Sequence, residues 1–220
     1  MDRRKFMASA ITAGTALSVA ATSAGGQETK AIRIIGISCS PRKGKTTATS
    51  VKVALDAAAG VDKNIKTEMI DLGGLNIAGW PGGESKTKDD LDSIISRLGE
   101  PDIGGLIIGS PSYFRSMSSL CKVFLERLAV LRSPNLLLAD KALGALAVGA
   151  YRNGGQELVI DQIQTAMLCH EVMVVGGKPK AHQGATLWNA YKDDIMKDEF
   201  GINSAKQLGI RVAEAALRLA

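Results

Sequence analysis

Aromatic side chains are scarce in this sequence: Phe, Trp and Tyr together make up 4% of it. A core must therefore be built from Ile, Leu, Val and Ala. Cysteine is rarer still, with Cys39, Cys121 and Cys169 far apart. No Cys-x-x-Cys pair exists, so neither a zinc site nor a disulfide framework is indicated, and each thiol reads as a small buried or half-buried side chain. There is no large excess of one charge. The net charge is +5, and with Asp2, Arg3, Arg4 and Lys5 set aside 24 basic residues face 21 acidic ones. That balance is too mild to argue for nucleic acid and suits a small anionic ligand. No apolar run is long enough for a membrane span: Ala8 to Ala21 is short and rich in Ala, Thr, Gly and Ser, so no stable membrane anchor is expected. What is present is ordinary for one globular domain, with 220 residues, 45% apolar and 22% charged.

The first two dozen residues read as a targeting segment. Asp2-Arg-Arg-Lys-Phe-Met7 precedes the mild apolar run, and small residues follow at 21–26. This is the layout of an export signal. The Arg pair with Phe two residues later resembles a twin-arginine signal, which implies export in the folded state, to a periplasm, with cleavage after Ala21 or Ala24. Residues 1–24 are thus assigned to the signal and 25–220 to a single domain.

That domain alternates strands and helices. Apolar runs at Ile32–Ile37, Ile65–Leu72, Asp102–Ser110, Ala142–Ala150 and Glu171–Val175 predict five strands. Helical stripes lie between and after them: Val51, Ala54, Leu55, Ala58; Leu91, Ile94, Ile95, Leu98; Leu120, Phe124, Leu128, Leu131; Ile160, Ile163, Met167; and Leu208, Val212, Ala215, Leu219. Thr87, with Asp90 three residues on, predicts a cap for the second helix. A long loop is expected from Lys178 to Asp198. Asp89-Asp90 and Asp193-Asp194 read as solvated helix faces, and His170 and His182 as structural or exposed. Regular alternation predicts an α/β fold: a doubly wound, five-stranded parallel sheet of order 2-1-3-4-5, with its ligand at the switch between the first and third strands.

The most distinctive stretch is Ile32 to Thr47, read as strand, polar loop and helix N-terminus. Such a junction points backbone N–H groups and a partial positive charge outward, which suits phosphate. Ser38, Ser40, Arg42, Lys45, Thr46 and Thr47 add donors. Gly44-Lys45-Thr46 matches the tail of a triphosphate-binding P-loop, but that motif requires Gly where Cys39 stands. Pro41 and Arg42 also interrupt the loop, and Ile107-Ile108 leads to Gly109-Ser110 without an Asp for magnesium. No Gly-x-Gly-x-x-Gly fingerprint occurs either. A terminal monophosphate is the better match.

Two further loops follow strands three and four. Pro111, Ser112, Tyr113, Phe114, Arg115 and Ser116 place two aromatics among small polar residues; they suit an aromatic ligand ring or the core equally. Tyr151, Asn153, Gly154, Gly155 and Gln156 supply donors and close backbone approach.

Together GISCSPRKGKTT at 36–47, GSPSYFRSMSSLCKVFLER at 109–127, AVGAYRNGGQE at 147–157 and DEFGINSAKQLGIRVAE at 198–214 resemble the flavodoxin-like NAD(P)H-dependent FMN reductases and the related iron–sulfur flavoproteins. The resemblance implies bound FMN, with its phosphate on Ser38, Ser40, Arg42, Lys45, Thr46 and Thr47 and its ring against Pro111–Ser116 and Tyr151–Gly155. It implies electron transfer from NAD(P)H or a redox protein to a small acceptor, and a homodimer or homotetramer. The flavin carries the chemistry, so no side chain is expected to be catalytic. The loop Leu75–Gly83, where iron–sulfur flavoproteins carry cluster cysteines, has none here, so no cluster and no metal is expected. Trp80 in that loop suits flavin cover, a subunit contact or packing. An electron-transfer protein without nicotinamide turnover is the alternative.

Overall fold

The structure, a computed structural model, describes residues 31–83, 88–179, 181–190 and 192–220. The signal-like segment and Thr87 lie outside them. Strand β1 (Ile32–Ser38) is buried at every position but Arg33. Its β-branched residues suit a strand covered on both faces, where an uninterrupted apolar run replaces alternation. It pairs in parallel with β2 (Ile65–Asp71) on one side and β3 (Ile103–Tyr113) on the other. Beyond β3 lie β5 (Ala142–Gly149) and the short β6 (Met173–Val174), and the sheet order is β2-β1-β3-β5-β6. This is the expected doubly wound order, with the switch between β1 and β3.

Helices cover both faces. Ile35, Ile37, Leu106 and Ile108 pack under α2 (Asp90–Leu98), α3 (Ser119–Arg127) and α4 (Gln156–Leu168). Ile34 and Ile107 point the other way, under α1 (Thr46–Ala59) and α5 (Glu199–Leu219). The helical stripes read from the sequence are the buried faces, except that Leu120 is only half-buried and Leu219 is exposed. Truncating one of the fully buried Ile or Leu side chains to Ala is expected to cost about 2–5 kcal/mol. Among the described residues no helix is long and apolar enough to cross a membrane.

Four details differ from the sequence reading. The fifth strand is split: β6 (Met173–Val174) pairs with the start of β5, and β7 (Ala185–Trp188), inside the stretch expected to be a loop, pairs with its end. Two-residue and four-residue segments are too short to show a period. The third strand runs on past Ser110 to Tyr113 and turns back into β4 (Ser116–Met117), so the expected loop is a hairpin. Its turn residues Phe114 and Arg115 adopt φ of 51° and 63°. Helix α2 is capped by Asp89, which accepts from Leu91 N–H, while Asp92 accepts from the Asp89 N–H.

The fourth difference is that Asp89 is no solvated face. Its side chain is 2% exposed and receives Nη1 and Nη2 of the equally buried Arg127, at 2.7 and 3.2 Å. Arg127 also donates to Ala78 O and to Asp92. The guanidinium holds the Asp89 carboxyl below the usual carboxylate range. One buried ion pair thus ties the segment after β2 to α2 and α3.

Candidate active site

The carboxyl ends of β1, β3 and β5 carry three loops, and hydrogen bonds fasten them together. Cys39 N–H donates to Gly109 O at 2.8 Å, and Ser118 Oγ donates to Cys39 O at 2.6 Å, joining the first loop to the second. The same Ser118 Oγ caps α3 by accepting from Cys121 N–H. Ser112 Oγ donates to Gly154 O at 2.6 Å and Arg115 Nη1 to Asn153 O at 3.1 Å, joining the second loop to the third. Gly155 has φ of +90°, and a Cβ there would lie 2.8 Å from the Arg115 Cα. The second and third loops can therefore touch only because residue 155 is glycine.

The first loop ends in the N-terminus of α1, which has no side-chain cap and no acid in its first turn. Its orphan N–H groups and partial positive charge are left for an anion. Ser38, Ser40, Thr46 and Thr47 are buried around it, while Arg42 and Lys45 are exposed. Ser38 Oγ is buried without a hydrogen-bond partner, an arrangement that costs free energy unless a ligand or water supplies one. Ser40 Oγ accepts from Arg42 N–H. Asp71 at the end of β2 shapes the loop from outside, accepting from Gly44 N–H at 2.7 Å and Gly73 N–H at 3.2 Å.

The structure therefore gathers the predicted residues at one sheet edge, but not all in equivalent roles. Pro111 is buried in register with Val148. Tyr113, Phe114 and Tyr151 are exposed, so the aromatics of these loops stand out of the core. Ser116 Oγ donates to Gln162 Oε1 on α4. Gln156 is buried and braces the third loop, its Nε2 donating to Tyr151 O and Leu187 O. Trp80 is exposed, its Nε1 donating to Gly83 O.

Two contributors escaped the sequence reading. Asp193, taken for a solvated face, receives both Arg42 Nη1 contacts at 2.9 Å and Asn189 Nδ2 at 3.0 Å, with Lys45 Nζ at 4.0 Å. These partners, Asn189 first, hold its carboxyl below the usual range. Arg152 stacks 4.1 Å above the Trp188 ring beside the third loop. Neither pairing has a local sequence signal, because each joins residues brought together by the split fifth strand. A surface cavity of ≈ 700 Å³ lies at the opposite sheet edge, among Ile32, Asn64, Asp102 and Lys141.

Sheet order, crossover helices and a ligand-ready switch point define a flavodoxin-like α/β protein. The model of the NADPH-dependent FMN reductase family matches residues 32–186, and the chain belongs to that family. It is an FMN-binding oxidoreductase. An iron–sulfur flavoprotein of Methanocaldococcus jannaschii is 39% identical over 191 residues, covering 83% of this chain and 96% of that one. An iron–sulfur flavoprotein of Methanosarcina thermophila is 30% identical over 184 residues, covering 80% and 93%. Among solved structures, an NADH:FMN oxidoreductase in its apo form superposes with a TM-score of 0.62 at 24% identity, over 86% of this chain and 90% of that one. At that identity the likeness shows the fold.

The relatives' names raise the question of an iron–sulfur cluster. Such clusters are held by thiolates, commonly four, and this chain has three cysteines. Cys39 and Cys121 lie side by side, fully buried; burial, then the neighbouring thiol, pushes the Cys39 thiol well up. Cys169 is exposed at the far end of α4. Among the described residues no group of three or more His, Cys, Asp or Glu could hold a metal ion. The residues present do not fit a four-thiolate cluster.

Proposed function

We propose that FMN binds with its phosphate at the α1 N-terminus, on Ser38, Ser40, Arg42, Lys45, Thr46 and Thr47, and its ring against Pro111–Ser116 and Tyr151–Gly155. The observation that carries this is the partnerless, buried Ser38 hydroxyl beside an uncapped helix N-terminus, on the same edge as two interlocked loops. FMN, when bound, supplies the hydride and electron chemistry. The chain's part is to hold the phosphate with neutral donors and two cations, and to fix the ring against backbone that Ser112, Arg115 and Gly155 keep in register. The reaction is electron transfer from NAD(P)H or a redox protein through FMN to a small acceptor: a quinone, free flavin, metal ion or azo compound. The protein works as a homodimer or homotetramer, exported by a twin-arginine signal, without an iron–sulfur cluster.

Purified protein should be yellow and release FMN, not FAD or riboflavin, on denaturation. Oxidation of NADPH with one of those acceptors supports the enzyme reading; no turnover with any of them sinks it. Arg3-Arg4 favours a second reading, an exported electron carrier. Nicotinamide nucleotides are largely cytoplasmic, so an exported flavoprotein would draw electrons from a redox partner. Reduction by dithionite but not by NADPH or NADH would select it.

A further inference from the structure

The cation assigned to the phosphate is already engaged by a carboxylate. Arg42 Nη1 donates to both Asp193 oxygens, at 2.9 Å each, across 151 positions of sequence. The guanidinium is therefore held by one nitrogen, and its Nη2 and Nε edge is left for another acceptor. Asn189 Nδ2 also donates to the carboxylate, to Oδ1 at 3.0 Å, and Lys45 Nζ, the loop's other assigned cation, lies 4.0 Å away. A phosphate bound at this loop would therefore meet Arg42 and Lys45 with a carboxylate already 2.9 Å from the one and 4.0 Å from the other.

We infer that Asp193 sets the affinity and charge selectivity of the phosphate site: it positions Arg42 while opposing a dianion, and so keeps the flavin exchangeable. This rests on the assignment of the phosphate to the first loop. The two effects separate chemically. An amide at 193 still offers Arg42 an oxygen acceptor, so it retains the positioning and removes the charge. Alanine removes both.

The charge effect should also follow the ionisation of the ligand. A phosphate monoester takes up its second proton near pH 6, whereas Asp193 stays ionised below that. The groups facing Asp193 are Arg42 and Lys45 from the first loop and Asn189 from its own segment. The adjacent Asp194 is paired with Lys197 at 3.3 Å. The change that the test reads across that range is the second ionisation of the phosphate.

The test is flavin binding by fluorescence quenching on the flavin-stripped full-length protein, with FMN and riboflavin as probes. Asp193→Asn should tighten FMN by about threefold or more at pH 7.5, the scale of one screened like charge against a dianion, and leave riboflavin unchanged. The gain should shrink at pH 5.5, and Asp193→Ala should bind FMN more weakly than Asp193→Asn. If Asp193→Asn leaves FMN affinity unchanged or weakens it, or moves riboflavin equally, the inference is wrong. Arg42→Ala tests the underlying assignment separately. If it binds FMN as tightly as the parent, the phosphate lies elsewhere, whatever Asp193→Asn does.

Discussion

Arg127→Met is the sharpest test of how the segment after β2 is held. Methionine keeps most of the stem volume and removes the charge. The side chains of Arg127 and Asp89 are 4% and 2% exposed, so water cannot replace the guanidinium. Asp89 would keep backbone N–H groups, those of Ala78 and Leu91 and that of Asp92 in the capping box, but no cation, and Ala78 O would lose the Arg127 donor. Removing one partner of a buried pair costs about 3–5 kcal/mol. For a domain of this size each kcal/mol moves Tm by about 2–4 °C, so a fall of roughly 10 °C is expected.

Thermal melting followed by circular dichroism, with urea titration for ΔG, measures this. The acid limb adds an independent sign. Arg127 lowers the folded-state pKa of Asp89, so its contribution is present above the unfolded carboxylate value and lost as pH falls through the lower folded one. Without Arg127 that loss begins at higher pH. Asp89→Asn in the same chain keeps the helix cap and removes the stranded charge, and should recover part of the loss. A Tm within about 2 °C of the parent, where surface ion pairs fall, would refute the claim that this pair anchors the segment.

Other outcomes test the flavin site. Arg42→Ala should weaken FMN by roughly tenfold, the lower end for a hydrogen bond to a charged group, with riboflavin little changed in the same fluorescence titration. Ser38→Ala breaks no bond within the chain, so urea stability should stay within about 0.5 kcal/mol of the parent. FMN affinity should nevertheless fall several-fold, about the worth of one hydrogen bond. Gly155→Ala combines φ of +90° with a Cβ 2.8 Å from the Arg115 Cα. It should cost about 1–3 kcal/mol and weaken FMN and riboflavin alike, because the loops that face the ring are forced apart; a parent-like melting curve would contradict the packing.

Much of the frame was legible because it is written in local chemistry. The β-branched run Ile32–Ile37, the stripe Val51-Ala54-Leu55-Ala58 and the glycines at 154 and 155 each announce one element within a few residues. Cys39 at the place of a required glycine separated this loop from a triphosphate loop without any tertiary information. What escaped depends on partners distant in sequence. Asp89 and Asp193 each sit in a doublet of acids and look like solvated faces. Whether such a carboxylate is paired is decided by a cation 38 or 151 positions away. The aromatics at 113 and 114 were undecided for the same kind of reason: exposure of a hairpin turn depends on whether Ser116 and Met117 pair back with β3.

The split fifth strand connects the missed features to the site. A continuous strand beside β5 would lead from Val174 straight to α5. Instead the chain leaves after β6 and returns as β7 in register with Leu146–Gly149. It therefore emerges at Trp188, on the carboxyl edge. From there Asp193, steadied by Asn189, reaches the first loop while Trp188 holds Arg152 beside the third. Asn189 N–H donates to Gly149 O at 2.8 Å, and Trp188 N–H donates to Asp198 Oδ2 at 2.7 Å. The return path is thereby fixed at both ends before α5 begins. The interruption thus brings a charge and a stacked cation to the three strand ends where the phosphate and ring are proposed to lie.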